Sequence, residues 1–292
     1  MGTTIEGLSV VEGGWRTRHS ALGLSVGATR AALRDAGLRP ADVDLLLNAG
    51  VYHDRNLGEP ALAPLIQADA GINAGDPTPG GIGTFSFDIA NGGCGVLTAL
   101  QIADGFLRSR TVTTALIVAG DADPGSGLAV DFPFEPAAGA VVCRWTDTER
   151  GLASFRWCNC PDGGATFRAS IGLQHGRNVL SIGEDPGFAE QAAETAARAA
   201  RALLRDHRLC AEDIELVVGS PAGPTFMKRI AMELGLPDDR LVAARPGLHT
   251  AAFIAALETA RQREPGRWSE AGNVLLVCGA SGLTGGAALY RP

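Results

Sequence analysis

Cys94 is the side chain with the clearest potential for chemistry, since it follows two glycines and precedes an apolar stretch with helical spacing. The periodicity predicts a helix over residues 94–109. A thiol at the beginning of a helix is favoured as a thiolate by backbone N–H groups and the helix dipole, and a thiolate can accept an acyl group. A cysteine directed into the core would instead be a small apolar residue. The sequence leaves both interpretations open.

Cys158 and Cys160 raise the question of metal binding, because two potential ligands lie close together. Their C-x-C spacing differs from the C-x₂₋₄-C usual for zinc, and no second Cys/His pair lies nearby. The six cysteines are scattered through a long chain, unlike the dense framework of a small secreted domain. We therefore predict no metal site and no resident cofactor.

An internal repeat identifies the elements that position these residues. Residues 30–47 and 201–218 align without gaps at an offset of 171, and eight of the 18 aligned positions are identical. Each copy has the pattern of an amphipathic helix, a short acidic turn and a buried strand. The helices are expected at 21–36 and 189–206, and the strands at 45–49 and 216–219. The two halves of the chain are therefore interpreted as copies of one unit.

The second part of each unit also repeats. In the first copy, a strand at 85–88, a glycine turn, the helix at 94–109 and a buried strand at 115–119 follow one another. The second copy has a strand at 241–243, a turn at 246–247, a helix at 250–263 and a strand at 274–278. Strands alternating with helices predict parallel β-α-β units and a duplicated α/β fold. We place the boundary between residues 1–150 and 151–292.

The composition is that of a folded globular chain, with 46% hydrophobic and 20% charged residues among 292. The 39 glycines form no collagen period and no linker runs, so they indicate tight turns. A net charge of −7 without a basic block argues against a nucleic-acid partner. The N-terminus lacks the pattern of a signal peptide, and no apolar stretch approaches roughly 18 residues. We expect a cytoplasmic protein without membrane segments.

Three segments carry a family resemblance. Residues 87–104 resemble the nucleophile segment of ketoacyl-acyl-carrier-protein synthase III, F-D-x-x-x-A-C-x-G-F-x-x-A-L. Residues 134–142 resemble its F-G-D-G-A-G-A-V-V stretch, and residues 281–291 its closing G-G-L-T-x-G-A-A-L-x-R. The chain is therefore identified as a member of the thiolase-like superfamily. The resemblance implies a duplicated five-layer α-β-α-β-α fold and a dimer that buries an edge strand of each central sheet.

The resemblance also implies a chemistry. In this family a cysteine thiolate takes an acyl group from coenzyme A or acyl carrier protein. A histidine and an asparagine then hold a malonyl thioester for decarboxylation and Claisen condensation, and backbone N–H groups form an oxyanion hole. Cys94 and Ser281 are the candidates for the oxyanion hole here. Catalytic members also carry a longer segment between the first strand and the first helix, which helps receive coenzyme A.

The family's catalytic positions hold other residues in this chain. The nucleophile lies five residues after the aspartate of F-D and six before A-L, and both counts give Gly93, one position before Cys94. Since one residue along a helix turns the side chain by about 100°, we expect the sulfur of Cys94 to point elsewhere. The histidine position, in residues 219–223, is Ser220, and the asparagine position, in residues 246–252, is Leu248. Serine and leucine cannot together hold a malonyl thioester carbonyl.

A displaced catalytic site is the alternative. Thiolases have a histidine in a loop near His249, and a second catalytic cysteine in C-x-G-G-G, which residues 278–282 resemble. Cys94, His249 and Cys278 would form this site if the protein is active. Cys278 ends a buried apolar strand, where a cysteine is commonly a core residue. Among the other polar residues, His53 is a minor candidate, and Asp121 and Asp123 are interpreted as turn acids.

The leading functional hypothesis is a ketoacyl synthase III-like subunit of fatty-acid or polyketide biosynthesis. It would be the non-catalytic partner of a catalytic paralogue in a heterodimer. Two alternatives remain open: an active acyltransferase or condensing enzyme that uses Cys94, and a homodimer that binds an acyl or aromatic ligand. Acyl carrier protein and acyl-coenzyme A are the other expected partners.

Overall fold

The computed structural model describes residues 1–73, 75, 83–220, 225–263 and 265–292. Within them, the strands are β1 (Gly2–Glu12), β2 (Leu45–Asn48), β3 (Phe85–Asp88), β4 (Thr114–Asp121), β5 (Ala129–Val130), β6 (Ala137–Thr146), β7 (Gly151–Asn159), β8 (Phe167–Gln174), β9 (Arg177–Glu184), β10 (Leu216–Ser220), β11 (Leu241–Ala243), β12 (Val274–Ala280) and β13 (Thr284–Arg291). The helices are α1 (Ala21–Asp35), α2 (Leu62–Ala70), α3 (Gly95–Arg108), α4 (Phe188–His207), α5 (Phe226–Leu234), α6 (Ala252–Arg263) and α7 (Pro265–Glu270).

One sheet joins both halves of the chain, in the order β11-β10-β12-β13-β7-β1-β6-β4-β2-β3. Strands β3, β2 and β4 run parallel to one another, as do β11, β10 and β12. The prediction of parallel β-α-β units is confirmed for these six strands. The halves meet at the centre of the sheet, where the register pairs Thr3 of β1 with Leu152 of β7. The proposed division at residue 150 falls between β6 and β7.

The alternation of side chains along the strands produces five layers. In β2, Leu45 and Leu47 pack into a central cluster that contains both α3 and α6, whereas Leu46 packs against α1 and α2. In β10, Leu216 and Val218 face the same central cluster, and Val217 packs against α4 and α5. Successive side chains on a strand point to opposite faces, so two helices lie between the sheet halves and two pairs lie outside. The fold is the duplicated α-β-α-β-α arrangement that the sequence predicts.

The repeat has a physical reason at its acidic turn. Asp42 accepts a hydrogen bond from the backbone N–H of Arg39 at 2.8 Å, and Asp213, at the equivalent position, accepts one from the N–H of Cys210 at 2.8 Å. Each closes a short 3₁₀ turn that leads from the helix into the buried strand. The identical aspartates therefore build the same connection in both halves.

The remaining strand pairs are not predicted from the sequence, and all of those described are antiparallel except β5 with β9, which is parallel. Strand β13 pairs with β12 and β7, and β6 pairs with β1 and β4. Strands β8 and β9 form a hairpin that belongs to a separate three-stranded sheet with β5. Most of the side chains of this hairpin are exposed, so its sequence carries no clear burial pattern. Among the described residues, no helix combines the length and the apolar character needed to cross a membrane.

Candidate functional site

A cavity of about 860 Å³ lies where the parallel strands of both halves end. Its wall includes residues 90–93 after β3, Ser220 at the end of β10, residues 245–249 after β11, and residues 279–282 at the end of β12 and in the turn that follows. Side chains from the β8–β9 hairpin line the rim. In open α/β sheets, ligands bind outside the carboxyl ends of the strands. The cavity is therefore the candidate functional site.

Gly93 lies in the cavity wall, within the 3₁₀ turn Gly92–Cys94 that precedes α3. A Cβ at this position would lie 2.6 Å from the carbonyl oxygen of Gly279 and 3.6 Å from Oγ of Ser220. The first distance is far below van der Waals contact with a backbone atom, which cannot rotate away. The turn therefore accommodates glycine and excludes any larger residue without a backbone shift.

Cys94 is fully buried, with its Sγ 3.5 Å from the carbonyl oxygen of Thr284 in β13. Its thiol lies beside that of Cys278, which is also fully buried. Burial, followed by the hydrogen bond and charge of Cys94, raises the pKa of the Cys278 thiol well above its ordinary value. Neither cysteine is among the described residues that line the cavity. The structure thus brings Cys94 and Cys278 together, but in the core.

Ser220 and Leu248 both reach the cavity. Ser220 is the last residue of β10, is 2% exposed, and lies in register with Cys278 of β12. Leu248 is also 2% exposed and packs with alanines of β6 and α6, including Ala137 and Ala252. The apolar contacts of Leu248 place a hydrocarbon side chain in the wall. Residues 221–223 of the segment compared with P-H-Q-A-N lie outside the described residues.

The two oxyanion-hole candidates, Cys94 and Ser281, differ in whether they can face a ligand in the cavity. The backbone N–H of Cys94 donates a hydrogen bond to the carbonyl oxygen of Asn91 at 2.9 Å, so it is already paired within its own turn. Ser281 is exposed and lines the cavity next to Gly92. It begins the tight turn Ser281–Leu283, which connects β12 to β13.

His249 lines the cavity and is held by a buried carboxylate. Its Nδ1 lies 2.8 Å from Oδ2 of Asp121, and the two side chains are 13% and 1% exposed. Asp121 is the last residue of β4, so its interpretation as a turn acid is wrong. The same carboxylate accepts hydrogen bonds from the backbone N–H groups of Val51 and Tyr52 at 2.9 and 2.7 Å, and from the N–H and hydroxyl of Thr250.

These contacts determine the protonation of Asp121. Burial alone would raise the pKa of the carboxyl group. The charge that His249 carries when it is protonated, and the hydrogen bonds from His249, Thr250 and Tyr52, outweigh burial and lower the pKa to about 2. Asp121 is therefore ionised at neutral pH and holds the proton of His249 on Nδ1. The sequence does show an acidic residue, Asp121, at the end of a buried strand. Its partner His249 lies 128 residues later, so the sequence alone does not reveal the pair.

Aromatic rings surround this histidine. The ring of His249 stacks on Phe134 with centroids 4.2 Å apart, and Tyr52 lies 5.1 Å from it. Phe132 packs edge-on against both Tyr52 and Phe134. Burial, and then the charge of Asp121, raise the pKa of Tyr52, so its hydroxyl stays protonated. The rings fix the imidazole plane and make this wall of the cavity largely apolar.

The rim carries charged groups. Arg245 lies between Glu12 and Glu135 and forms ion pairs with both. Glu184, at the end of β9, has its pKa raised by partial burial, while the charge that His249 carries when protonated opposes the shift. His53 lies outside the lining, with its ring nitrogens near the carbonyl oxygens of Leu57 and Gly50. Among the described residues, no cluster of three or more His, Cys, Asp or Glu side chains is arranged to hold a metal ion.

The five-layer duplicated fold and the position of the cavity define the class of thiolase-like proteins. Several relatives resemble the chain over nearly its whole length. Beta-ketoacyl-acyl-carrier-protein synthase III of Sphingopyxis alaskensis is 30% identical over 285 residues, covering 92% of this chain and 83% of the relative. The protein of the same name from Rhodospirillum rubrum is 29% identical over 292 residues, with the same coverage. The chain belongs to the beta-ketoacyl-acyl-carrier-protein synthase III family.

Solved structures agree on the fold. The 3-oxoacyl-acyl-carrier-protein synthase III of Aquifex aeolicus superposes with a TM-score of 0.80 at 22% identity, with both chains fully covered. OleA of Xanthomonas campestris gives a TM-score of 0.81 at 15% identity, covering 100% of this chain and 99% of the other. None of the protein-family models searched matches the chain.

Proposed function

We propose that this member of the family does not perform the condensation itself and is the dimer partner of a catalytic paralogue. The pathway would be fatty-acid- or polyketide-type acyl transfer and Claisen condensation. The observation that carries the proposal is the position of the thiols. Gly93 stands in the cavity wall, whereas Cys94 and Cys278 lie outside the lining and in the core.

The other two positions support the same conclusion. Condensation needs groups that polarise the thioester carbonyl of the malonyl unit and stabilise the carbanion formed by decarboxylation. Leu248 can donate no hydrogen bond, and its contacts with Ala137 and Ala252 keep it in place. Ser220 carries a neutral hydroxyl, which offers no imidazole proton. A wall of this composition favours holding an acyl chain over activating it.

The edge strand β3 supports a role in dimerisation. It is the outermost strand of the ten-stranded sheet and leads directly into residues 90–93 of the cavity wall. Phe85 in this strand is 58% exposed, although its ring contacts Phe87 and Phe106. Within the part of the chain that the structure describes, no further strand pairs with this edge, and an open edge with an exposed aromatic ring is a ready surface for a partner strand. A partner bound there would be next to the cavity.

Co-expression tests the proposal. A ketoacyl synthase III paralogue with intact cysteine, histidine and asparagine is produced with and without this chain, and association and condensation activity are measured. We expect co-purification and a partner activity that depends on this chain. Phe85→Arg is expected to abolish association. Met232→Arg, which places the same charge on a 74% exposed methionine of α5, is the matched control.

The result that opposes the proposal is a condensation rate with this chain alone that equals the rate of the pair. A second candidate, a homodimer that holds an acyl or aromatic ligand, is favoured by the size of the cavity and its aromatic wall. It predicts a self-association that Phe85→Arg disrupts and a ligand that remains bound in native mass spectrometry. The third, an active enzyme that uses Cys94, requires this thiol to reach the cavity.

A further inference from the structure

The His249–Asp121 pair does not occupy the positions of the family's catalytic residues. It is nevertheless the most completely hydrogen-bonded polar feature of the cavity. Asp121 accepts hydrogen bonds from two elements besides His249: the loop after β2, through Val51 and Tyr52, and the turn before α6, through Thr250. Nδ1 of the imidazole is hydrogen-bonded to the Asp121 carboxylate, and one face of the ring stacks on Phe134. Such a pair fixes both the tautomer and the orientation of the ring.

Because Nδ1 of His249 is paired with Asp121 and the residue lines the cavity, Nε2 is the ring nitrogen left for a ligand. With the proton on Nδ1, the neutral ring carries a lone pair on Nε2. Among the described residues, no donor lies within hydrogen-bond distance of Nε2, and His249 lines the cavity. Ser220 adds a hydroxyl to the same wall. The neighbouring side chains Tyr52, Phe134 and Leu248 are largely apolar.

This arrangement discriminates between ligands. A purely hydrocarbon chain would displace water from Nε2 and leave the nitrogen without a partner, at a cost that corresponds to about 10-fold or more in affinity. A ligand with a hydroxyl group could donate a hydrogen bond to Nε2 and keep the rest of its chain against the apolar wall. A site built to pair with a hydroxyl rejects the analogue that lacks it.

We propose that the cavity selects acyl groups that carry a hydroxyl on the chain, with His249, oriented by Asp121, accepting the hydroxyl proton in a hydrogen bond. The inference rests on the proposed function in one respect, that the cavity holds an acyl group. Asp121 is a positioning residue, because it acts through His249. No bond is formed or broken in this binding step.

Calorimetric titration at pH 8.5 tests the proposal. The probes are decanoyl-coenzyme A and two hydroxylated analogues, 3-hydroxydecanoyl- and 10-hydroxydecanoyl-coenzyme A. At least one hydroxylated probe is expected to bind about 10-fold or more tightly than decanoyl-coenzyme A. Equal affinities for all three would overturn the selectivity and leave the partner role intact. Absence of binding for all three would overturn the selectivity and also the premise of an acyl-binding cavity.

Variants distinguish a direct role of His249 and Asp121 in the hydroxyl preference from a general effect on folding. His249→Phe retains a ring against Phe134 and is expected to remove the preference for the hydroxyl while decanoyl-coenzyme A binds as well or better. His249→Asn provides a second test, since asparagine tolerates the positive φ of 40° at this position. Asp121→Asn is expected to reduce the preference with the ring still present. His207→Phe, on a histidine at the end of α4 and outside the cavity lining, is the matched control. A preference that survives in both His249 variants contradicts the assignment.

Discussion

The carbonyl oxygen of Gly279 lies 2.6 Å from the point that a Cβ of residue 93 would occupy. The turn before α3 and the end of β12 are therefore in backbone contact at the position where the family resemblance places its nucleophile. The contact also brings Cys94 against Cys278 on the core side. One close approach thus accounts for both the glycine in the wall and the burial of the neighbouring thiols.

A side chain at residue 93 is expected to destabilise the protein. Gly93→Ala should lower the free energy of unfolding by about 1–3 kcal/mol, because the Cβ forces the turn away from Gly279. Gly105→Ala is the matched control: it lies in the exposed face of α3 with no atom within 4 Å of its Cβ, and should stabilise by about 0.5–1 kcal/mol. Urea denaturation measures both. A Gly93→Ala protein as stable as the wild type would contradict the contact.

Asp121 should make stability depend on pH. Its pKa of about 2 in the folded state lies below the ordinary value of 3.8. The carboxylate therefore stabilises the fold above pH 4, and this contribution is lost as the pH falls from about 4 to 2. The shift corresponds to about 2 kcal/mol. Asp121→Asn should cost at least that much at pH 7 and progressively less toward pH 2.

Unfolding midpoints at pH 7 and pH 3 for the wild type and Asp121→Asn provide the measurement. Asp123→Asn, two residues later in a partly exposed position, is expected to change the midpoint little at either pH. A constant difference between wild type and Asp121→Asn across this range would show that the carboxylate is not preferentially stabilised in the fold.

The aspartate of the F-D segment should have a structural role. Asp88 accepts hydrogen bonds from the backbone N–H groups of Leu62 and Ala63 at 2.7 Å each, and so caps the beginning of α2. Asp88→Asn should cost about 1 kcal/mol by thermal or urea unfolding. Asp69→Asn, the same change at the carboxyl end of α2, should be neutral or slightly stabilising, because an acid there opposes the helix dipole. Equal effects at both ends would argue against the cap.

The cysteines should differ sharply in reactivity. Cys94, Cys143 and Cys278 are fully buried, and burial raises the pKa of Cys143 and Cys278. In native protein, iodoacetamide should leave these three unmodified and alkylate the exposed Cys210. A hydrogen bond to Asp213 raises the pKa of Cys210, so this reaction should be slower than that of a free thiol. Peptide mass mapping measures the order, and early alkylation of Cys94 would support an active thiolate instead.

The sequence predicts the fold well because most of its elements bury one face. The repeated helices and the unbroken apolar strands carry the 3.6-residue and two-residue periods of packed elements. The β8–β9 hairpin is not predicted because Ile171 and Leu173 are exposed rather than packed, so the alternation along β8 has no buried face. The His249–Asp121 pair could not be predicted because it joins the end of β4 to the turn before α6, 128 positions away in the sequence. Only tertiary packing brings them together.

Covalent labelling tests the central claim most directly. The purified chain, its Cys94→Ala variant and a catalytic paralogue with an intact cysteine are each incubated with radiolabelled acyl-coenzyme A and separated under denaturing conditions. We predict label on the paralogue and none on this chain, because the cavity wall at residue 93 carries no thiol and Cys94 lies in the core. Stable label on this chain that disappears in Cys94→Ala would contradict the account.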